Sequence, residues 1–295
     1  MEAAVTLPEE MQLLPLGDAG LAGWKIATPH CRALVSIQGA QVLEFQAVGR
    51  KPLLWLSDTA TYVPGKAIRG GIPLCFPWFG PHPDDPGKPA HGFARTLDWQ
   101  LAQVERKPEA LLLHFRLASS AATRALWPHD FEATLQISLG RVLQLQLEVT
   151  NTGAAEFSFG FAFHSYFPVS DIRQVQVEGL DGTPCIDQLD PARTPQTQQG
   201  PVRFAGETDR IHLHTGGELC LVDAAVDQAV RISAPACRSA IVWNPGPAKA
   251  ARLGDMPATA WQHMACVECG NVESDRVSLP PGAAKLFTLQ LESEN

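Results

Sequence analysis

Glu268 is a carboxylate inside an otherwise apolar run, Met264-Ala265-Cys266-Val267-Glu268-Cys269-Gly270. Read as a strand, the run puts Glu268 on one face with Met264 and Cys266. An ionised carboxylate there is costly unless it is partnered, so its pKa rises toward the range of a general base. A second candidate lies in Phe157-Ser158-Phe159-Gly160-Phe161-Ala162-Phe163-His164-Ser165-Tyr166-Phe167. One face of that strand is an aromatic core stripe. The other begins with Ser158, Gly160 and Ala162, small enough to leave room for a ligand, and ends in His164 and Tyr166. A histidine at the edge of such a space is placed for proton chemistry. The plainer alternative is a histidine satisfied within the core.

Anion chemistry is the next possibility. Arg69-Gly70-Gly71-Ile72-Pro73 and Phe76-Pro77-Trp78-Phe79-Gly80 combine a planar fork suited to phosphate or carboxylate with flat surfaces for a sugar ring. A tight turn with Arg69 in a surface ion pair explains the first segment equally well. His91-Gly92-Phe93-Ala94-Arg95 brings a second arginine that could close on the same anion, with His91 as a support bonded to backbone. Thr208-Asp209-Arg210 is by itself an ordinary solvated charge pair. Cys266 and Cys269 form a C-x-x-C, but no second one exists to complete a zinc site.

The elements that must position these groups are strands. Phe131–Leu139 and Val142–Val149 alternate apolar and polar, and shorter runs do so over Ala33–Ile37, Gln41–Ala47, Leu111–Leu117, Glu218–Val222, Ala240–Trp243, Met264–Cys269 and Lys285–Glu292. Many short strands punctuated by Gly and Pro indicate an all-β sandwich or barrel. One short helix is expected within Ala118–Leu126. Asp181–Gly200, rich in Pro, Gln, Thr and Asp, reads as a long surface loop. Gly65–Arg95 reads as an ordered, functional loop because it carries its own apolar anchors.

With 295 residues, 45% of them hydrophobic, the chain supports one large domain, spanning 1–295 with residues 1–20 as an N-terminal extension. A formal net charge of −8 without any Lys/Arg run argues against nucleic acid or anionic membrane as partners. No apolar run reaches the length of a membrane span, and the start lacks a signal-peptide pattern. Seven irregularly spaced cysteines read as reduced thiols in a cytoplasmic protein.

Together these segments resemble the hexose-6-phosphate mutarotases (glucose-6-phosphate 1-epimerases) of the galactose-mutarotase-like superfamily. The matching text is Ile68-Arg69-Gly70-Gly71-Ile72-Pro73, Trp78-Phe79-Gly80, His91-Gly92-Phe93-Ala94-Arg95, Trp127-Pro128-His129 with Phe131, His164-Ser165-Tyr166-Phe167, Thr208-Asp209-Arg210-Ile211, Val242-Trp243-Asn244-Pro245 and Cys266-Val267-Glu268. These occur in family order over most of the chain. The resemblance implies a large antiparallel β-sandwich, with His164 as acid, Glu268 as base, Arg69 and Arg95 on the phosphate, and Asp209 on sugar hydroxyls. His91 is expected at the substrate. It further implies a small phosphosugar substrate, a monomer and no cofactor or metal. Ala90 stands where some members carry a glutamine, and Cys269 where some carry proline. Three rivals remain: a mutarotase of free aldoses, a glycoside hydrolase using Asp209 and Glu268, and a non-catalytic carbohydrate-binding sandwich.

Overall fold

Strict alternation in Phe131–Leu139 and Leu143–Asn151 buries every second side chain on one side only. In the computed structural model, which describes residues 7–82 and 84–294, these strands lie within a nine-stranded antiparallel sheet. Its order runs Val202–Arg203, Val175–Glu178, Glu218–Asp223, Gln228–Ser233, Ala284–Glu294, Leu143–Asn151, Phe131–Leu139, Leu111–Ala118, Gln100–Arg106. An eight-stranded sheet packs against its apolar face. That second sheet runs Pro195–Thr197, Pro184–Asp187, Thr208–His212, Ser239–Asn244, Met264–Asn271, Phe161–Phe163, Leu74–Cys75, with Tyr166–Pro168 also paired to Met264–Asn271. The sheets meet in aromatic contacts such as Phe161 on Phe287, ring centroids 4.3 Å apart. Truncating such a ring to alanine costs about 3–5 kcal/mol. The all-β sandwich expected from alternation is the architecture observed.

Met264–Asn271 is buried along its whole length, because the core covers one face and the functional cleft the other. Ala265, Val267 and Cys269 join the main core, while Met264 and Cys266 pack on the cleft side. Cys266 and Cys269 therefore sit on opposite faces and cannot act as a pair. The strand continues through Cys269 to Asn271, so no turn follows Glu268.

Three expectations need correction. The Phe157–Phe167 stretch is three short strands. Phe157–Phe159 pairs with Val277–Leu279, and after Gly160 the chain crosses into the second sheet. Asp181–Gly200 is not an irregular loop, since Pro184–Asp187 and Pro195–Thr197 pair as a hairpin at the sheet edge. Proline is tolerated on edge strands, and the composition concealed them. Finally, much of the supposed N-terminal extension is structural: Met11–Leu16 pairs with Leu21–Ala27 in a separate four-stranded sheet. Residues 1–6 lie outside the described residues. The helix is Ala121–Leu126, capped reciprocally by Ser120 and Thr123, while Ala118 still belongs to the preceding strand. Among the described residues no helix is long and apolar enough to cross a membrane.

Candidate active site

Register puts the acid and base candidates side by side. Phe163 pairs with Cys269 and Tyr166 with Cys266 along the same strand. The residues between, His164 and Glu268, consequently face each other, with His164 Nε2 3.4 Å from Glu268 Oε1. The His164 N–H donates to the Pro73 carbonyl at 3.0 Å, tying this break between strands to the Arg69–Pro73 segment. Both side chains are buried, yet His164 Nδ1 and Glu268 Oε2 have no hydrogen-bond partner. They line a cavity of about 300 Å³ together with Arg69, Arg95, His91, Asp209 and Tyr166. All six candidate residues thus converge on one space.

Burial, with Asp209 nearby, raises the Glu268 carboxyl well above its ordinary value, and Arg95 offsets part of this. Burial, the His91 ring, Arg95 and Arg69 hold His164 well below the ordinary imidazole value. Both shifts favour the neutral form of each group. The neutral pair differs by one proton transfer from the carboxylate–imidazolium pair.

The two arginines are held differently. Arg69 Nε donates to Asp255 Oδ2 and Nη1 to the Tyr166 hydroxyl, each at 3.1 Å. Gly71 is essential here: at φ +63° its missing Cβ would stand 2.1 Å from the Val42 carbonyl oxygen. Arg95 donates from Nη2 to the Ala90 carbonyl at 3.1 Å, its Nε is buried without a partner, and it has no carboxylate partner among the described residues. His91 accepts from the Gly80 N–H on Nδ1 at 3.3 Å, which leaves its proton on Nε2. Burial and the two guanidiniums push its pKa down to about 3, so it is a neutral donor. Its backbone sits at φ +65°, beside Gly92 at +71°, where a Cβ would stand 2.0 Å from the Phe76 oxygen.

Across the cleft, Asp209 Oδ1 accepts from Gln188 Nε2 at 2.6 Å, and Lys249 Nζ stands 3.8 Å from Oδ2. Burial raises the Asp209 carboxyl, and Gln188 and Lys249 oppose the rise. Sequence reasoning missed Gln188, Lys249, Asp255 and Trp243 as cleft residues. Gln188 was hidden in the hairpin read as a loop, the Pro245–His263 connection has no periodicity to flag Lys249 and Asp255, and Trp243 lies in the Ser239–Asn244 strand, where alternation alone does not say that it faces a cleft. Two platform assignments also change. Trp78 is 3% exposed, packs in the core and donates to the Pro89 carbonyl, so only Phe79 reaches the cleft. On the small-residue face, Ala162 is covered by Ile211, Ile241 and Val272, which leaves His164 and Tyr166 as its cleft residues.

Comparison with known proteins gives this β-sandwich a family. The profile of the aldose 1-epimerase family matches residues 24–292, and this chain belongs to that family. A Salmonella typhimurium protein provisionally named glucose-6-phosphate 1-epimerase is 37% identical over 240 residues, covering 81% of this chain and 80% of that protein. A similarly named protein of Cenchrus ciliaris is 34% identical over 266 residues, 86% of this chain and 78% of its own. The crystal structure of a provisionally named mutarotase from Salmonella typhimurium superimposes with TM-score 0.91 at 31% identity, covering 99% of this chain and 96% of that one.

Proposed function

We propose that this protein interconverts the α and β anomers of hexose 6-phosphates, glucose 6-phosphate among them, by opening and reclosing the hemiacetal ring. The observation that carries the reading is the buried Glu268–His164 pair, sharing its cleft with an arginine that has no carboxylate partner among the described residues. The names borne by the relatives support the same substrate.

In the reaction Glu268 takes the proton of the anomeric hydroxyl while protonated His164 gives one to the ring oxygen. The bond between the anomeric carbon and the ring oxygen breaks, and the free aldehyde turns about its bond to the next carbon. Reclosure on the other face, with proton transfers reversed, yields the other anomer. One acid and one base suffice, each worth about 10²–10⁴-fold. Arg69 and Arg95 hold the phosphate and so fix the ring, a proximity contribution. His91 donates from Nε2, and Asp209, oriented by Gln188 and Lys249, accepts from sugar hydroxyls.

Exchange spectroscopy between the anomers of glucose 6-phosphate tests the reading. Protein-dependent exchange is expected, and its absence overturns it. Action on free aldoses is the second reading, favoured by the Arg69–Asp255 ion pair, which offsets one of the two clamp charges. Faster exchange of glucose than of glucose 6-phosphate would favour it. A glycoside hydrolase needs two carboxyl groups at a set separation and has no use for a histidine against its carboxylate. We read the chain as a single domain, because one apolar cluster runs from Met11 to Leu291, and propose that it acts as a monomer. A cytoplasmic location is supported by seven cysteines that are all free.

A further inference from the structure

The cleft's own groups oppose the protonated form that His164 needs for the step assigned to it. The groups facing that imidazole come from every neighbouring element. Glu268 stands at 3.4 Å on the adjacent strand, and Trp243 lies edge-on at 6.2 Å between ring centroids. Tyr166, on the same segment, stacks on His164 at 4.7 Å with rings 5° from parallel. From the Gly65–Arg95 segment come His91, at 5.9 Å between ring centroids, and the guanidiniums of Arg69 and Arg95 in the same cavity. Two of these groups are fixed cations. Among the described residues the carboxyl in contact is Glu268, and burial favours its neutral form. Asp255, Asp209 and Lys249 line the same cavity, but Asp255 is bonded to Arg69, and Asp209 accepts from Gln188 and faces Lys249, so neither carboxylate is free to partner an imidazolium formed at His164, while Arg95 has no carboxylate partner among the described residues.

Arg69 is coupled to His164 through packing as well as charge. Its Nη1 donates to the Tyr166 hydroxyl, and the Tyr166 ring lies flat on His164. Trp55 also stacks on Tyr166, ring centroids 5.8 Å apart, so the phenol is packed by two rings. A ligand drawn to the two arginines lands at one end of a short connection whose other end is the proton donor.

We propose that an oxyanion seated between Arg69 and Arg95 activates the reaction as well as anchoring the substrate, by enabling His164 to carry its proton. Free phosphite therefore activates turnover of a sugar that has no phosphate of its own. The proposal rests on the function proposed above. The dianion offsets Arg95 and adds to Asp255 at Arg69, and the burial and arginines that depress His164 no longer act unopposed. It gives the phosphate a role in the rate of the chemical step, as expected when remote binding is used at the reacting centre.

The test uses xylose, an aldopentose lacking the C6 group, so that phosphite can occupy the clamp beside it. Anomer exchange of xylose is measured by NMR as phosphite is added, and the buffer's own catalysis is subtracted with His164→Asn protein in the same solution. A saturable rise of at least about tenfold in kcat/KM is expected, the equivalent of one pKa unit. Arg95→Ala should flatten the response. The companion measurement is the titration midpoint of the His164 imidazole by nitrogen NMR, which should move upward with phosphite. An unmoved midpoint overturns the proposal, as does phosphite acting only as a competitor. Glucose 6-phosphate turnover by the same preparation separates the two claims. Its absence removes the function, whereas normal turnover with no phosphite effect removes the activation alone.

Discussion

His214 Nδ1 and Asp275 Oδ1 stand 2.8 Å apart just beyond the ends of two strands; His164 Nε2 and Glu268 Oε1 stand 3.4 Å apart in the middle of the same sheet. Distance alone would favour the first pair as the catalytic one. Hydrogen bonding reverses that choice. Asp275 Oδ2 accepts from Ser239 Oγ at 2.9 Å and from the His214 N–H at 3.0 Å, and half-exposed His214 faces solvent. Its bonding capacity is spent on fastening the Thr208–His212 strand to the turn after Met264–Asn271. Glu268 and His164 each keep one buried polar atom without a partner, both beside a cavity. A satisfied pair stabilises the fold, while an unsatisfied buried pair is costly until a ligand completes it.

The largest effect that could break this contrast is on rate. Glu268→Gln and His164→Asn should each lower anomerisation of glucose 6-phosphate by about 10²–10⁴-fold while remaining folded. Asp275→Asn should leave the rate within a factor of about two but destabilise the protein by about 1.5–3 kcal/mol, through lost charge-assisted hydrogen bonds. Anomer exchange and thermal unfolding on the three variants check this. A slow Asp275→Asn protein with unchanged melting would invert the assignment.

The clamp carries the same distinction at smaller scale. Arg69 is already bonded to Asp255 and Tyr166, whereas Arg95 has one carbonyl partner. Arg95→Ala should raise KM for glucose 6-phosphate roughly ten- to hundredfold, the loss of a charged hydrogen bond of about 1.5–3 kcal/mol. Arg69→Ala should do so less, because Asp255 already takes part of its charge, and it should also lower kcat by freeing Tyr166. Equal KM effects on glucose and glucose 6-phosphate would remove the phosphate role from either residue.

What the sequence revealed follows the same division. Glu268 was legible because a lone carboxylate in an apolar strand has few structural uses, and the phenylalanine stripe was legible because period-two alternation is local. Facing across strands is not local, so only register brought His164 opposite Glu268. Lys249 and Asp255 come from a connection without periodicity, and their relevance depends on Asp209 and Arg69, distant in sequence. Trp78 was misread because the core extends into a loop that composition alone makes look exposed. The tighter pair, His214 with Asp275, left no sequence signal at all; it unites two loop residues that only the fold brings together.

A finer probe of the unsatisfied pair is pH. Glu268 must be ionised to act as base, and its raised pKa means activity falls as pH drops through that raised value. Asp209 is one cause of the rise, so Asp209→Asn should move the acidic limb of the kcat profile to lower pH. Lost sugar contacts should also lower kcat at the optimum, by roughly tenfold for one hydrogen bond of about 1 kcal/mol or slightly more. An acidic limb that stays in place would show that Asp209 does not act on Glu268 electrostatically.

The smallest effect carries a sign opposite to that of Asp275. The folded protein binds the Glu268 proton more tightly than the unfolded chain does, because burial raises the folded-state pKa. The stabilisation tied to that proton is complete below the ordinary carboxyl pKa and is lost as pH rises through the raised value. Glutamine carries no proton to lose. Glu268→Gln should therefore gain in melting temperature relative to the wild type as pH rises from the ordinary carboxyl value through the raised one, whereas Asp275→Asn melts lower throughout. His164 adds the complementary loss at low pH, since its depressed pKa leaves the folded state unwilling to take the proton the unfolded chain accepts. A Glu268→Gln protein less stable than the wild type at high pH would mean that Glu268, like Asp275, helps hold the fold together.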